Sequence, residues 1–132
     1  MVKLLNFKCH SDKRGNLIAI EGNKDVPFEI KRTYYIFGNK KKALRGCHAH
    51  RKLEEVIICL SGHCDIYIGR KKTVEEFHLC NPNEGIYIGP MRWIEFTNFS
   101  KNCILLVLAS DHYDKSDYIN SYKAYLKEME ND

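Results

Sequence analysis

The chain has 132 residues and a mass of 15.5 kDa, the length of one domain that can bury a core without disulfides or a metal. Hydrophobic residues make up 44% and charged residues 29%, which is typical of a globular protein. The net charge is only +4 and the basic residues are scattered, so the charge does not indicate nucleic-acid binding. The longest apolar run, residues 103–109, is far shorter than the ~20 residues of a membrane-spanning helix. We therefore expect one globular domain over residues 1–132, with no nucleic-acid or membrane partner.

Strand patterns dominate the chain from residue 16 to residue 109. β-branched and aromatic residues recur in short runs that end at glycine, asparagine or proline turns, as strands do. A hairpin is predicted where two alternating runs flank residues 69–72. The predicted strands are 16–20, 32–37, 45–51, 55–60, 64–68, 73–79, 86–88, 93–97 and 103–109.

The spacing of apolar residues changes from that of a strand to that of a helix only near the carboxyl end of the chain. Apolar residues there follow helical spacing, and Asp117 is suited to cap the amino end of a helix over about 117–130. Many short strands followed by one helix favour an all-β sandwich or barrel with a small helix appended.

Six cysteines are spread along the chain without any C-x-x-C pair, which argues against a zinc ribbon or a thioredoxin motif. Several lie inside apolar runs, where a thiol packs as a small hydrophobic group. The amino terminus is too short and too charged for a signal peptide, so we expect a cytoplasmic protein with reduced thiols. We predict core positions for all six: Cys9, Cys47, Cys59, Cys64, Cys80 and Cys103.

Two histidines separated by one residue carry the strongest functional signal. On a strand, His48 and His50 project from one face, roughly 7 Å apart, and Gly46 on the same face leaves room beside them. Two such imidazoles can ligate a metal or act as paired proton-transfer groups. The alternative is that they are ordinary polar residues of an exposed strand.

The spacing H-x-H-x4-E-x6-G, from His48 through Glu55 to Gly62, is that of the first cupin motif, although Lys42 stands where its leading glycine would be. The second cupin motif is partial, and Glu95 lies near the place of its histidine. Three roles for Glu55 remain open: raising the pKa of the histidines, completing a metal site, or packing at a strand end.

A longer resemblance covers nearly the whole chain. The sequence resembles the sugar 3,4-ketoisomerases, small cupins that act on dTDP-4-keto-6-deoxyglucose. The resemblance implies a cupin jelly roll, a homodimer with exchanged strands, no metal or other cofactor, and His48 and His50 as catalytic groups. It also implies a 3-keto product that feeds the synthesis of 3-amino-3,6-dideoxyhexoses for surface glycans. The matching stretches are 14–17, 27–37, 45–50, 85–90, Trp93, 99–100, 107–114 and 117–119.

Moving a ketone from C4 to C3 requires proton carriers and a donor for the developing oxyanion, but no redox cofactor. We expect His50 to be the principal proton shuttle and His48 its partner. Guanidinium groups suit the diphosphate of the nucleotide, although surface solubility alone explains most arginines. Tyr34 and Trp93 are candidates for the sugar and the base, with core packing as their alternative. The predicted substrate-binding residues are Arg14, Arg32, Tyr34, Arg45, Lys52 and Trp93.

Three other functions remain open at this point. A related nucleotide-sugar 3,5-epimerase also removes protons next to a ketone. A metal-dependent cupin would use His48, His50 and Glu55 as ligands. A sugar-binding module would bind the ligand without turnover. The configuration of the product at C4 is open as well.

Overall fold

The computed structural model describes residues 1–131, and residue 132 of the predicted domain lies outside the described residues. No helix in this part of the chain is long and apolar enough to cross a membrane. The strands are β1 Val2–Asn6, β2 His10–Asp12, β3 Gly15–Leu17, β4 Arg32–Phe37, β5 Arg45–His50, β6 Glu55–Ser61, β7 Cys64–Arg70, β8 Thr73–Leu79, β9 Glu84–Ile88, β10 Trp93–Thr97, β11 Ile104–Ala109 and β12 Tyr118–Ile119, and helix α1 is Tyr122–Met129.

Ten of these strands form two five-stranded antiparallel sheets. The first sheet has the order β1-β9-β6-β11-β4 and the second has the order β12-β5-β10-β7-β8. Between them lies a core to which both sheets contribute, with Ile57 and Leu105 from the first and Ile66 and Ile94 from the second. The molecule is thus an all-β jelly roll with one short carboxyl-terminal helix, which confirms the predicted fold class.

The outer face of the first sheet is partly covered by the segment between β3 and β4. Val26 and Phe28 from this segment pack with Phe7 against Val56 and Ile58 of β6. The β2–β3 hairpin, which precedes the segment, is exposed at every residue of both strands. Strand β3 ends at Leu17, so the predicted strand 16–20 is shorter than expected, and β1 and β2 were not anticipated.

Strand β5 carries both histidines and contains an irregularity just before them. Gly46 has φ +82° and Cys47 has φ +56°, and the pairing of β5 with β10 shifts register opposite them. A Cβ at Gly46 would lie 2.8 Å from the Ile94 carbonyl oxygen, so this position requires glycine. The bulge lets β10 approach β5 closely while His48 and His50 still project together.

The carboxyl-terminal helix starts later than the sequence indicates. Ser121, not Asp117, is its N-cap, and the Ser121 side chain accepts a hydrogen bond from the Ala124 amide at 3.2 Å. Asp117 instead ends a 3₁₀ turn, and the next two residues form β12 beside β5. Long-range contacts of the Asp117 side chain outweigh its local capping preference.

The expectation that all six cysteines pack in the core is only half right. Cys59, Cys64 and Cys103 are buried, whereas Cys9 and Cys80 are exposed and Cys47 is half-buried at the bulge. The three buried thiols belong to the core between the sheets, with Cys59 inside β6, Cys64 at the start of β7 and Cys103 directly before β11. The other three lie in loops or at the bulge, where side chains do not alternate regularly between the core and the solvent.

Candidate active site

His48 and His50 lie side by side at the end of β5. Their ring centroids are 4.8 Å apart and the rings meet edge to face. The rings are closer than the roughly 7 Å between alternate residues of a strand, because they lean toward each other. His50 is buried, with 4% of its surface exposed, and His48 is half-buried. The Nδ1 atom of His48 lies 3.0 Å from the Gly46 carbonyl oxygen. Burial and the neighbouring His50 lower the pKa of His48, so its ring is neutral at neutral pH.

Glu55, the first residue of β6, is the buried carboxylate of the site. One of its oxygens accepts the Tyr34 hydroxyl at 2.7 Å, and the other lies 3.4 Å from Nε2 of His50. Burial alone would raise the pKa of Glu55, but His50 and the Tyr34 hydroxyl outweigh it and hold the pKa below its ordinary value. Burial and this carboxylate in turn raise the pKa of Tyr34. Glu55 is therefore an ionised partner of His50.

A second carboxylate meets His50 from the other side. Asp117 places an oxygen 3.3 Å from Nδ1 of His50. Neither ring nitrogen of His50 has a well-aligned hydrogen bond, although each faces a carboxylate. Tyr118, the cross-strand neighbour of His50, packs its ring 4.4 Å from the His50 ring and 5.1 Å from that of His48.

An open cavity of about 340 Å³ adjoins this cluster. His48 forms part of its wall, and Arg32, Tyr34 and Arg45 bring predicted binding groups to it. The Arg32 guanidinium lies 5.0 Å from the centre of the Tyr34 ring, and its buried Nε has no hydrogen-bond partner. The cavity thus combines a neutral imidazole, three tyrosine phenols and two cations.

Three of the predicted binding residues lie elsewhere. Lys52 lines a smaller neighbouring cavity of about 80 Å³, which it shares with His50 and Arg32. Arg14 is at the exposed tip of the β2–β3 hairpin, paired with Asp12. Trp93 is buried outside the cavity, where it packs on the ring of Tyr125.

Sequence reasoning also missed functional candidates and misplaced one. Asp117 and Tyr118 are both in the site, and the only signal for them was the short matching stretch 117–119. Glu95, expected near the histidines, accepts a hydrogen bond from the Trp93 indole at 2.8 Å instead and lies apart from the cluster.

A metal could be held by one set of side chains within residues 1–131. The ligand atoms of His48, His50 and Glu55 all lie within 4.8 Å of one another. The donor types suit a divalent transition metal. A cation there would compete with the existing contacts of Glu55, whose two oxygens face Tyr34 and His50.

Comparison with known proteins gives concordant matches over nearly the whole chain. Residues 1–130 match the family described as WxcM-like, C-terminal. A TDP-4-oxo-6-deoxy-alpha-D-glucose-3,4-oxoisomerase from Aneurinibacillus thermoaerophilus is 48% identical over 125 residues, which are 95% of this chain and 90% of that protein.

Solved structures agree with this match. The sugar 3,4-ketoisomerase QdtA from Thermoanaerobacterium thermosaccharolyticum, in complex with TDP, has a TM-score of 0.97 at 45% identity and covers 98% of this chain and 95% of its own. A histidine-to-asparagine variant of QdtA was solved in complex with TDP-4-keto-6-deoxyglucose. The WlaRB TDP-quinovose 3,4-ketoisomerase from Campylobacter jejuni has a TM-score of 0.91 at 50% identity and covers 96% of this chain and 97% of its own. The resemblance inferred from the sequence is confirmed, and the chain belongs to the WxcM-like sugar 3,4-ketoisomerases, a family of isomerases.

Proposed function

We propose that this chain converts TDP-4-keto-6-deoxyglucose into a TDP-3-keto-6-deoxyhexose by proton transfer. The observation that carries the proposal is the histidine pair beside an open cavity, with His48 on the cavity wall and His50 between two carboxylates. The relatives named above act on, or bind, TDP-linked sugars of this kind.

The reaction is redox-balanced within the sugar. A base removes the C3 proton, which the C4 carbonyl acidifies, and an enediol forms. A proton then returns to C4 while the C3 hydroxyl loses its proton, so C3 is oxidised and C4 is reduced. Each step needs a group that exchanges protons near neutral pH, and such groups typically contribute ~10²–10⁴-fold.

We assign to His50 the removal of the proton from C3 and its return to C4. The carboxylates of Glu55 and Asp117 stabilise the positive charge that the His50 ring acquires when it accepts a proton. His48 stays neutral because its pKa is lowered, and since its Nδ1 donates to the Gly46 carbonyl, its Nε2 is left to accept a proton from a sugar hydroxyl. His48 therefore suits the oxygen side of the enediol.

Binding of the nucleotide is assigned to the cations around the cavity. Arg32 and Arg45 lie on its wall, and the unpartnered Nε of Arg32 is a donor that a phosphate oxygen can satisfy. Lys52 and Arg32 both line the smaller cavity as well, but three aspartates share its wall, so its charge is mixed rather than positive. Tyr34 and its partner Glu55 suit a sugar hydroxyl.

We further propose a homodimer with exchanged strands, in which the β2–β3 hairpin and Arg14 reach the partner's site. The hairpin is exposed throughout, and Tyr35 and Phe37 on the edge strand β4 stack together with 66% of each exposed. Such a patch is typical of an interaction surface. Light scattering should give the mass of two chains, and the mass of one chain would contradict the dimer.

We also place the enzyme in the cytoplasm, because all six cysteines are free thiols.

A ketone at C3 is the functional group that a transamination consumes. We therefore assign the product to 3-amino-3,6-dideoxyhexose synthesis for surface glycans.

The central test replaces each histidine by asparagine and follows turnover of TDP-4-keto-6-deoxyglucose by NMR of the product. We expect His50→Asn to lose at least ~10²-fold in kcat and His48→Asn to lose somewhat less. His63→Asn, in an exposed loop at the end of β6, is the matched control and should keep the wild-type rate. Full activity in both site variants would refute the mechanism.

The same substrate separates the remaining alternatives. In heavy water, deuterium at C5 would indicate the 3,5-epimerase, whereas the isomerase should leave C5 unlabelled. The cluster of His48, His50 and Glu55 favours a metal-dependent cupin as the second candidate. One equivalent of tightly bound metal, together with loss of activity on its removal, would support that candidate. A binding module would bind the nucleotide sugar without any product.

A further inference from the structure

We propose that Asp117 is a positioning residue for His50: its carboxylate holds the proton on Nδ1, so that the lone pair is on Nε2 and this nitrogen acts as the base. This inference rests on the proposed function and deepens it. It adds a residue that lies 67 positions from His50 in the sequence and joins the site only through folding.

The first support is the contact itself. Asp117 Oδ2 lies 3.3 Å from Nδ1 of His50, and the two side chains are 14% and 4% exposed. Water therefore has little access to the pair, and a charge pair in such surroundings is stronger than one in bulk water. A neutral imidazole carries one N–H, and the group that faces a nitrogen decides which tautomer forms.

The second support is that the carboxylate cannot turn away from His50. Its Oδ1 accepts the Lys52 amide at 2.8 Å, and its Oδ2 accepts the Leu53 amide at 3.2 Å. The Asp117 carbonyl accepts the Arg51 amide at 2.9 Å. These three amides belong to the three residues that directly follow His50, so the carboxylate is fixed relative to the ring it contacts.

A third feature fixes the backbone on both sides of Asp117. The Arg51 guanidinium donates to the carbonyl oxygens of Ser116 and Tyr118, at 2.6 and 3.2 Å. It also pairs with Glu128 of helix α1, at 2.6 Å. The helix, the end of β5 and the Asp117 turn therefore form one unit.

The direction of the ring follows from what lies at each nitrogen. Nδ1 faces Asp117, whereas Nε2 faces Glu55 and, through it, Tyr34 on the wall of the larger cavity. His50 itself lines the smaller cavity with Asp117, and Nε2 is its nitrogen on the side of Tyr34 and the larger cavity, so proton transfer toward the larger cavity needs the lone pair on Nε2. Because Glu55 also lies near Nε2, His50 has carboxylates at both nitrogens, and Asp117 is the one that selects the productive tautomer.

The competing explanation is that Asp117 only ties the turn to the end of β5. Asp117→Asn separates the two roles: its amide oxygen at the place of Oδ1 still accepts the Lys52 amide, whereas its NH₂ at the place of Oδ2 gives up the bond from the Leu53 amide and faces Nδ1 of His50. That NH₂ requires a lone pair on Nδ1 and moves the proton to Nε2. The matched control is Asp114→Asn, since Asp114 binds Ser116 in the same turn.

The experiment compares both variants with the wild type in turnover of TDP-4-keto-6-deoxyglucose, thermal unfolding and long-range ¹H–¹⁵N NMR of labelled histidine, with the His50 signals assigned from His50→Asn. We expect Asp117→Asn to lose about 10²–10⁴-fold in kcat, since replacing the aspartate of a Ser-His-Asp triad costs ~10⁴-fold. Its KM should stay within a few-fold, and His50 should change from the Nδ1–H to the Nε2–H tautomer. Asp114→Asn should keep the wild-type rate and tautomer.

Wild-type kcat in Asp117→Asn would overturn the inference, as would loss of kcat with an unchanged His50 tautomer. If Asp117→Asn does not fold, the wild-type spectrum decides, because an Nε2–H tautomer there contradicts the inference and an Nδ1–H tautomer supports it. A wild type that is inactive on this sugar would refute the proposed function, while the NMR measurement would still test the role of Asp117.

Discussion

Tyr34→Phe tests whether Glu55 is a buried, ionised carboxylate that depends on its donors. The substitution removes one hydroxyl and leaves the ring, so it creates no cavity of note. The lost bond is 2.7 Å long and its acceptor, Glu55, is 2% exposed. A hydrogen bond to a charged group contributes about 1.5–3 kcal/mol, so we expect a loss of about 2 kcal/mol in the free energy of unfolding.

The chain offers a matched control in Tyr87→Phe. The Tyr87 hydroxyl donates to Glu54 at 2.6 Å, but Glu54 is only half-buried and water can take the place of the hydroxyl. We expect this variant to lose about 0.5–1 kcal/mol. Urea unfolding at one fixed protein concentration measures both losses and keeps any subunit association constant.

The pH dependence gives the sharper result. Because the folded-state pKa of Glu55 is lowered, the stability that its ionised form contributes is complete above its unfolded pKa and is lost as the pH falls through the folded pKa. The gap between the wild type and Tyr34→Phe should therefore narrow below pH ~4.3, the ordinary pKa of glutamate. A loss no larger than that of Tyr87→Phe at neutral pH, or a gap that widens as the pH falls, would refute the assignment of Glu55 as ionised.

Two further predictions concern the backbone of β5 and the thiols. Gly46→Ala should lose about 2 kcal/mol of stability by urea unfolding, because the new methyl meets the Ile94 carbonyl and the residue must keep φ +82°; an unchanged midpoint would contradict the close approach of β10. In native protein, a thiol reagent should modify Cys9 and Cys80 quickly, and the three buried cysteines only after unfolding. Burial excludes the reagent and raises the pKa of Cys59 to about 12, so fast labelling of all six thiols in native protein would contradict the core.

The sequence predicts the parts of this molecule that depend on the spacing of apolar and polar residues along a short segment. Alternation in residues 32–37, 73–79 and 93–97 gives strands with the same bounds in the structure. The same alternation places His48 and His50 on one face, and their rings are indeed in contact. These features need only neighbouring residues, so the sequence contains them directly.

The second half of the site depends on contacts that local patterns do not encode. Asp117 has the residue type and the position of a helix cap, and its local context favours that role over the one observed. Only the pairing of β12 with β5 brings Asp117 and Tyr118 to His50. Trp93 was predicted to be in the site but is not. Its side chain lies on the outer face of β10 and packs against the tyrosine rings of α1 rather than lining the cavity.

The distribution of charge also implies the direction in which the substrate enters. The carboxylates of Glu55 and Asp117 lie deep beside His50, whereas Arg45 is exposed on the wall of the open cavity. A diphosphate close to two carboxylates would be repelled, and the repulsion is strong where water is excluded. The same carboxylates stabilise a protonated His50 without disturbing a neutral sugar ring. The favourable arrangement therefore has the sugar inside, against the histidines, and the nucleotide outside, near the arginines.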